Sequence, residues 1–247
     1  MTEKDTLSAK ALTLISHKLR TPLSIINGYS EAVLSQATKE KFSPFTTKAL
    51  GEIHKQGNRM SLLVDKLMAF NQVITADEQT LEKQPVNLKS VIKECAEKAI
   101  AQEGVAEKGL PAEQTGGVKR GTFIEIDCSS QLTLNANEHM LKLCISELLA
   151  NAIKFNNKLE KTIKVQGTNH GDSISISVRD YGVGIRPQDV SKIFEPFYQV
   201  DDYFTGQISG WGLGLPMVQR ILDLHRGSIS VVSDRGLGSI FTLSFPL

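Results

Sequence analysis

The sequence has few cysteines, almost no net charge and no long apolar run, and each of these absences argues against a class of proteins. Its 247 residues include only three cysteines, with no C-x-x-C pair, which argues against a disulfide scaffold or a zinc site and favours a reducing cytoplasm. With 28 basic and 27 acidic residues, the net charge of +1 excludes a polybasic protein that binds nucleic acid or an anionic membrane. No apolar run approaches the roughly 20 residues that span a bilayer, and the N-terminus lacks the apolar core of a signal peptide.

The first third of the chain repeats with the period of α-helices. Residues 7–36 carry one apolar stripe, and after a break near Thr38–Pro44 a second stripe alternates steps of three and four residues. The two stripes consist of Leu12, Ile15, Leu19, Leu23, Ile26 and Val33, and of Leu50, Ile53, Gly57, Met60, Val64, Leu67, Asn71 and Ile74. Because a hairpin of two such helices leaves apolar surface uncovered, we predict a homodimer that closes it into a four-helix bundle.

After about residue 80 the pattern changes to strands mixed with helices, which predicts an α/β unit with helices on one face of a sheet. A helix is predicted to open at Pro85–Leu88 and to run to about Glu103, followed by a loop over residues 104–121. The other predicted elements are strands at Thr122–Asp127, Thr162–Gln166, Ser173–Arg179, Ser228–Ser233 and Ser239–Phe245, and helices at about Asn137–Phe155 and Leu213–Leu224. The predicted domains are therefore residues 1–80 and 81–247.

One histidine stands apart from the apolar stripe. His17 lies on the opposite face of its predicted helix, together with Thr13 and Thr21. A neutral imidazole in solvent has a free nitrogen lone pair near pH 7, which is what a phosphoryl acceptor needs. Most single exposed histidines have no role, so the position alone leaves both interpretations open.

The helix predicted at about Asn137–Phe155 carries Glu147, Asn151 and Lys154 on one face. A carboxylate, an amide oxygen and an ammonium group suit Mg²⁺ and phosphate, because Mg²⁺ prefers oxygen ligands and phosphate prefers a positive charge. An ordinary solvated helix face has the same composition, so this stripe alone does not decide between the two.

Two glycine-rich segments follow. In Asp180–Gly184 (D-Y-G-V-G), at a predicted strand end, the carboxylate can accept a hydrogen bond from an exocyclic amino group, and the glycines let backbone approach a flat base or turn sharply. A tight turn is the alternative interpretation. Gly210–Leu215 (G-W-G-L-G-L) leads into a helix, so its N–H groups and the positive end of the helix dipole are predicted to face an anion.

In combination and in order, these segments resemble the sensor histidine kinases. The matching segments are Ser16–Leu23 (S-H-K-L-R-T-P-L, the H-box), Glu147–Phe155 (the N-box), Asp180–Gly184 (the G1 box), Phe194–Phe197 (the F-box) and Gly210–Leu215 (the G2 box), with His225–Gly227 and Gly236–Ser239 completing the pattern. The ATP-binding boxes are those of the GHKL superfamily of histidine kinases, gyrase-type topoisomerases, Hsp90 chaperones and MutL proteins. The implied fold is a helical hairpin in a dimeric four-helix bundle, followed by a GHKL α/β sandwich.

The resemblance implies an ATP-dependent histidine kinase of a two-component system. It makes His17 the residue that is phosphorylated, with Arg20 and Thr21 beside it, and an aspartate in the receiver domain of a response regulator the next acceptor. Thr21 would orient a water molecule if the protein also dephosphorylates that regulator.

The same resemblance assigns the ATP domain its cofactors, ATP and Mg²⁺. It implies that Asp180 contacts the adenine, that Lys154 contacts phosphate, and that Asn151 and Glu147 bind the metal. The remaining implied nucleotide contacts are Gly182, Gly184, Gly210, Gly212, Leu213, Gly214 and Leu215.

Two departures from the family pattern support an alternative. Lys18 replaces the acid that usually follows the phosphorylated histidine, and the expected lid over ATP, Phe194–Ser209, contains Asp201 and Asp202 where the family often has basic residues. The alternative to the kinase is therefore a nucleotide-binding dimeric scaffold, or a pseudokinase-like regulator, with weak autokinase activity. The acidic lid predicts weak nucleotide affinity or a lid that is disordered without a partner. A topoisomerase-like or chaperone-like ATPase does not explain the H-box hairpin.

The sensor is expected outside this chain. We expect a cytoplasmic protein that is either the core of a longer, membrane-bound sensor or a kinase that takes its signal from a sensory partner. No contact of this chain with a membrane or with nucleic acid is predicted.

Overall fold

The structure is a computed structural model that describes residues 19–34, 42–107, 121–200 and 211–247, with the side chains of 104–107 left out. The chain forms two compact units, Met1–Thr75 and Ala76–Leu247. Within the described ranges, no helix is both long enough and apolar enough to cross a membrane.

The first unit contains two antiparallel helices, α1 over residues 19–34 and α2 over Pro44–Thr75. The hydrogen bonds between them include those that join Arg20 to Asp65 at 2.7 Å, Asn27 to Ser61 at 3.2 Å and Ser30 to His54 at 3.2 Å. As the residue numbers increase along α1, those of the partners in α2 decrease. The helices therefore run in opposite directions, as the predicted hairpin requires.

The start of α2 is defined by its first residues. The hydroxyl of Ser43 accepts the N–H of Thr46 at 3.1 Å, which is the usual role of an N-cap serine. Pro44 is the first helical residue, where its missing N–H has no helical partner to lose. The rest of the predicted break near Thr38–Pro44 lies mainly outside the described residues.

Gly57 interrupts the apolar stripe of α2, and its contact with α1 explains why. A Cβ at this position would lie 2.0 Å from Oδ1 of Asn27. The glycine therefore leaves room for the Asn27 carboxamide, whose Nδ2 donates to Ser61 of the same helix α2.

The second unit opens with a short strand that the sequence pattern did not predict. Residues Gln84–Asn87 form β1, which pairs antiparallel with β3 at Thr133–Ala136. The predicted helix start at Pro85–Leu88 is thus wrong by a few residues: helix α3 spans Leu88–Glu107, and the side chain of Asn87 accepts the N–H of Ser90 at 3.0 Å.

The end of α3 also differs from the prediction. The helix continues through Gly104 to Glu107, although residues 104–121 were predicted to form a loop. A glycine inside a helix costs only about 1 kcal/mol, and neighbouring helix-forming residues compensate for it. At the other end of the predicted loop, Gly121 already belongs to strand β2.

A five-stranded sheet forms the body of the second unit. Its strands are β2 (Gly121–Cys128), β4 (Glu160–Asn169), β5 (Ser173–Asp180), β6 (Ser228–Asp234) and β7 (Gly238–Pro246). They are ordered β2-β4-β5-β7-β6, with β2 and β4 parallel and all other pairs antiparallel. All five predicted strands are therefore confirmed; four are one or two residues longer than predicted, and β4, with 10 residues, extends beyond the predicted Thr162–Gln166 at both ends.

One face of this sheet is covered by α3, by α4 (Glu138–Lys154) and by α5 (Gly214–Leu224), as predicted. Alternate strand residues point into this core, as the period of two requires. The buried strand residues include Ile163, Val165, Ile174, Ile176, Val178, Phe241, Leu243 and Phe245. The core therefore lies between the sheet and the three helices, and the candidate site is built at its edge.

Candidate functional site

The C-terminal half of α4 carries the first group of predicted site residues. Glu147, Asn151 and Lys154 are half-buried on this helix, beside the fully buried core positions. The Lys154 ammonium lies 4.5 Å from the centroid of the Phe155 ring, at the end of the helix. The predicted stripe is therefore present at a partly covered surface, as a ligand site requires.

Asp180, the last residue of β5, is a buried carboxylate with 6% of its surface exposed. Its Oδ1 accepts the N–H of Gly182 at 2.8 Å. Burial raises the pKa of the Asp180 carboxyl, while the N–H groups of Gly182 and Ser239 act in the opposite direction. The side chain is thus fixed in place by backbone groups at the end of a central strand.

The turn after Asp180 contacts the end of α4 directly. The N–H of Val183 donates to the carbonyl of Phe155 at 3.0 Å, and a Cβ on Gly182 would lie 2.2 Å from that same oxygen. Any larger residue at 182 would push the turn away from the helix. Gly184 follows with a φ of +68°. The structure therefore brings the predicted N-box and G1 box together.

The glycine-rich segment before α5 is held by the predicted F-box. The N–H of Phe197 donates to the carbonyl of Gly212 at 2.8 Å. Gly212 has a φ of +65°, and a Cβ there would lie 2.5 Å from the carbonyl oxygen of Tyr198. Position 212 therefore requires glycine both for its backbone conformation and for the close approach of the neighbouring chain.

Helix α5 begins differently from the other helices whose starts are described. Its N-cap residue, Leu213, is buried and has an apolar side chain, so it cannot accept an N–H from the first turn. Gly214 and Leu215 are the first helical residues. The first-turn N–H groups of a helix lack helical partners, and together with the dipole they form a place for an anion. Gly210 lies outside the described residues.

The predicted phosphorylation segment is described only in part. His17 and Lys18 lie outside the described residues. Arg20 and Thr21 are exposed on α1, and Arg20 pairs with Asp65 at 2.7 Å. This pair joins α1 to α2 three residues after His17 in the sequence.

His225 has a structural role that its sequence motif did not reveal. Its Nε2 accepts the N–H of Asn137, before α4, at 3.0 Å, and its Nδ1 lies 2.8 Å from the carbonyl of Ile221 in α5. The ring is therefore neutral, with Nδ1 as the donor, and burial lowers its pKa. The histidine connects the start of α4 to the end of α5.

Two family models match the chain. Residues 9–75 match the His Kinase A (phospho-acceptor) domain. Residues 136–247 match the histidine kinase-, DNA gyrase B-, and HSP90-like ATPase.

Similar curated proteins include three with long matches. The non-motile and phage-resistance protein of Caulobacter vibrioides is 28% identical, over 96% of this chain and 27% of its own length. The phosphate regulon sensor protein PhoR of Pseudomonas aeruginosa is 29% identical (94% and 48%), and the sensor histidine kinase RppB of Synechocystis sp. is 31% identical (94% and 47%). The chain thus spans about a quarter to a half of the length of these relatives.

Solved histidine kinase structures have a similar fold. Full-length ShkA, in complex with AMPPNP, has a TM-score of 0.71 and 25% identity, covering 96% of this chain and 45% of its own. The Acinetobacter baumannii histidine kinase AdeS has a TM-score of 0.57 and 21% identity, covering 93% and 97%. Together the two domain matches cover most of the chain, which belongs to the histidine kinase families that these two models describe.

Proposed function

We propose that this chain is an ATP-dependent histidine kinase core that phosphorylates His17 and passes the phosphoryl group to an aspartate of a response regulator. The observation that carries the proposal is the start of α5, where a glycine-rich backbone precedes a helix with no side-chain cap from Leu213. The sequence resemblance and the ATPase-domain match support ATP as the ligand.

At the adenine end, we assign Asp180 as the acceptor for the exocyclic amino group. The Asp180 carboxylate is suited to this role because a hydrogen bond from a backbone N–H holds it in a fixed orientation at the end of β5. Gly182 and Gly184 leave backbone, without side chains, beside the base.

At the phosphate end, we assign the backbone of Gly210, Gly212, Leu213, Gly214 and Leu215, together with the Lys154 ammonium. The N–H groups at the start of α5 would hold phosphate oxygens, and Lys154 would add a positive charge from α4. This distribution agrees with a chain whose net charge is only +1, since backbone groups supply much of the binding.

The same end of the site fits Mg²⁺ by its chemistry. Glu147 and Asn151 stand one helical turn apart on α4 and supply a carboxylate and an amide oxygen, the hard ligands that Mg²⁺ prefers. No group of three or more His, Cys, Asp or Glu side chains that could hold a metal occurs among the described residues. The two side chains would therefore form a partial site, and the bound ion would neutralise charge on the phosphates.

In the proposed reaction, an imidazole nitrogen of His17 attacks the γ-phosphorus of ATP. The bond from that phosphorus to the bridging oxygen breaks, ADP leaves, and the second ring nitrogen releases its proton. The phosphoryl group then passes from the imidazole to the aspartate carboxylate of the regulator. Arg20 and Thr21 are assigned beside His17, with Thr21 positioning a water molecule if the chain also hydrolyses the aspartyl phosphate of the regulator, a reaction that releases inorganic phosphate and regenerates the carboxylate.

The proposed organisation is a dimerisation and phosphotransfer domain at residues 1–80 and a catalytic domain at 81–247. The hairpin of one chain leaves Ile53 and Met60 of the predicted stripe nearly half-exposed, which supports homodimerisation into a four-helix bundle. We assign the core to the cytoplasm, where ATP is available and the three buried cysteines remain thiols. The sensor domain or sensory partner lies outside this chain.

The decisive experiment is incubation with γ-labelled ATP and Mg²⁺. We expect acid-labile label on the wild type and none on His17→Ala. His170→Ala is the matched control, because His170 is exposed at the opposite end of β5 from Asp180, and it should be labelled like the wild type. Label that persists in His17→Ala would contradict the assignment of His17.

A second candidate function rests on position 18. A lysine cannot accept the proton that the phosphorylated imidazole releases, so the chain would be a nucleotide-binding scaffold with weak kinase activity. Binding of ATP without label on the wild type would favour this scaffold. We expect Lys18→Glu to increase the initial rate of labelling, and no increase would contradict this account of Lys18.

A further inference from the structure

A buried carboxylate near the site belongs to none of the motifs. Asp189 lies between the G1 turn and the F-box and is 3% exposed. Its Oδ2 accepts Nε of Arg186 at 2.7 Å, and its Oδ1 accepts the hydroxyl of Tyr198 at 2.8 Å. The hydrogen bonds from Arg186 and Tyr198 hold the pKa of Asp189 below its usual range, so it is ionised at neutral pH.

Tyr198 connects this carboxylate to the segment before α5. Its carbonyl oxygen is the atom that a Cβ on Gly212 would meet at 2.5 Å, and the preceding N–H, from Phe197, donates to the Gly212 carbonyl at 2.8 Å. The two backbone segments are therefore in direct contact two residues before α5 begins.

The backbone at this contact is strained. Phe197 has a φ of +67°, a left-handed conformation that residues with a side chain rarely adopt, and the residue is 61% exposed. Burial of the ring does not hold this conformation. The conformation of Phe197 is held by its own hydrogen bond to Gly212 and by the hydrogen bond of the next residue, Tyr198, to Asp189. Strained backbone that is held by its surroundings in this way is common at functional sites.

We propose that Asp189 is a positioning residue for nucleotide binding. By holding the Tyr198 hydroxyl, it fixes the Phe197–Tyr198 backbone against Gly212 and thereby orients the N–H groups at the start of α5 toward the phosphates. The inference rests on the proposed function, because it requires α5 to face the phosphates of ATP. Lys192 adds a weaker contact, with its ammonium 6.0 Å from the Tyr198 ring centroid.

The test compares two ligands in the full chain by titration calorimetry. MgATP uses both the adenine end and the phosphate end, whereas adenosine uses only the first. In Tyr198→Phe, which removes one hydroxyl and keeps the ring, we expect MgATP affinity to fall about tenfold, as loss of a hydrogen bond to a charged group predicts. Adenosine affinity should change by less than about twofold, the effect of a difference well under 1 kcal/mol.

Asp189→Asn provides the second variant, because its amide oxygen can still accept the Tyr198 hydroxyl. We expect its loss of MgATP affinity to be smaller than that of Tyr198→Phe, and again absent for adenosine. Tyr29→Phe, which removes an exposed hydroxyl in the other unit, should bind both ligands like the wild type. Thermal unfolding of each variant checks that the chain remains folded.

The outcomes separate this inference from the proposed function. Wild-type affinity for MgATP in both Asp189→Asn and Tyr198→Phe, or an equal loss for MgATP and adenosine, would overturn the positioning role while leaving ATP binding intact. A wild-type chain that binds adenosine and MgATP equally, or binds neither, would overturn the proposed function itself. If Tyr198→Phe does not fold, Asp189→Ala, which removes the acceptor of the Tyr198 hydroxyl, decides with the same pair of ligands.

Discussion

Helices α4 and α5 pack on the same face of the sheet, but their N-termini are completed in different ways. At α4, the Asn137 side chain accepts the N–H of Met140 at 3.0 Å, and the Asn137 N–H itself donates to His225. At α5, the corresponding residue is the apolar Leu213, preceded by Gly212. The first turn of α4 is therefore capped by a side chain of the protein, whereas the first turn of α5 has no side-chain cap, which is the arrangement that the proposed phosphate site requires.

The largest effect should come from Gly212→Ala. The added Cβ would meet the Tyr198 carbonyl, and a left-handed backbone costs a residue with a side chain roughly 1–2 kcal/mol. We expect MgATP affinity, measured by titration calorimetry, to fall by about tenfold or more, equivalent to ~1.4 kcal/mol.

Gly171→Ala, in the turn between β4 and β5, is the matched control for Gly212→Ala. Gly171 has a φ of +92°, but no heavy atom lies within 4 Å of its Cβ position. It should lose stability in thermal unfolding through backbone strain alone and keep its MgATP affinity. An equal loss of MgATP affinity in the control variant would contradict the proposal that the N-terminus of α5, unlike that of α4, binds the ligand.

An intermediate effect is expected from Asn137→Ala, on stability and not on binding. Loss of an N-cap side chain lowers the free energy of unfolding by about 1 kcal/mol, within a range of roughly 0.5–2. Urea unfolding measures the change, and Asn135→Ala on the neighbouring strand β3, where the side chain is exposed, is the control. A loss of MgATP affinity with no change in the free energy of unfolding would instead show that the N-terminus of α4 also contacts the ligand.

The smallest effect concerns pH. Because burial lowers the pKa of His225 in the folded chain, the unfolded chain binds its proton more readily. The stability that depends on neutral His225 is therefore present above the unfolded pKa of about 6.5 and decreases as the pH falls through it. We expect urea unfolding between pH 7.5 and 5.5 to show a smaller pH dependence in His225→Gln than in the wild type.

His139→Gln is the control for His225→Gln, because His139 is exposed on the first turn of α4. It should keep the pH dependence of the wild type. A His225→Gln variant with an unchanged pH profile would contradict the assignment of a neutral, hydrogen-bonded ring to this position.

Local sequence patterns predicted much of the fold. The strands of the large sheet alternate buried and exposed residues, so their period of two is visible without any partner. Strand β1 was missed because Gln84–Asn87 contains a proline, is only four residues long, and is a strand only through its pairing with β3. In such short segments the tertiary partner decides the conformation, and the sequence nearby does not contain it.

The site was predictable to a similar extent. Gly182 and Gly212 could be located from their motifs, because close backbone contacts require glycine and glycine is visible in the sequence. The role of His225 and the role proposed for Asp189 could not be predicted, because both depend on hydrogen bonds that form only in the folded chain. The hydrogen bond from Asn137 to His225, for example, joins residues 88 positions apart. His17 and Lys18, outside the described residues, remain sequence-based predictions.

The contact between Asn27 and Gly57 has a consequence for building chimeric kinases. A helix α2 taken from a relative with any other residue at this position would displace the Asn27 carboxamide and its hydrogen bond to Ser61. The ion pair of Arg20 with Asp65 would also be lost if the donor helix lacked an acidic residue at position 65. Helices α1 and α2 should therefore be exchanged together, because the contacts between them depend on matched residues in both helices.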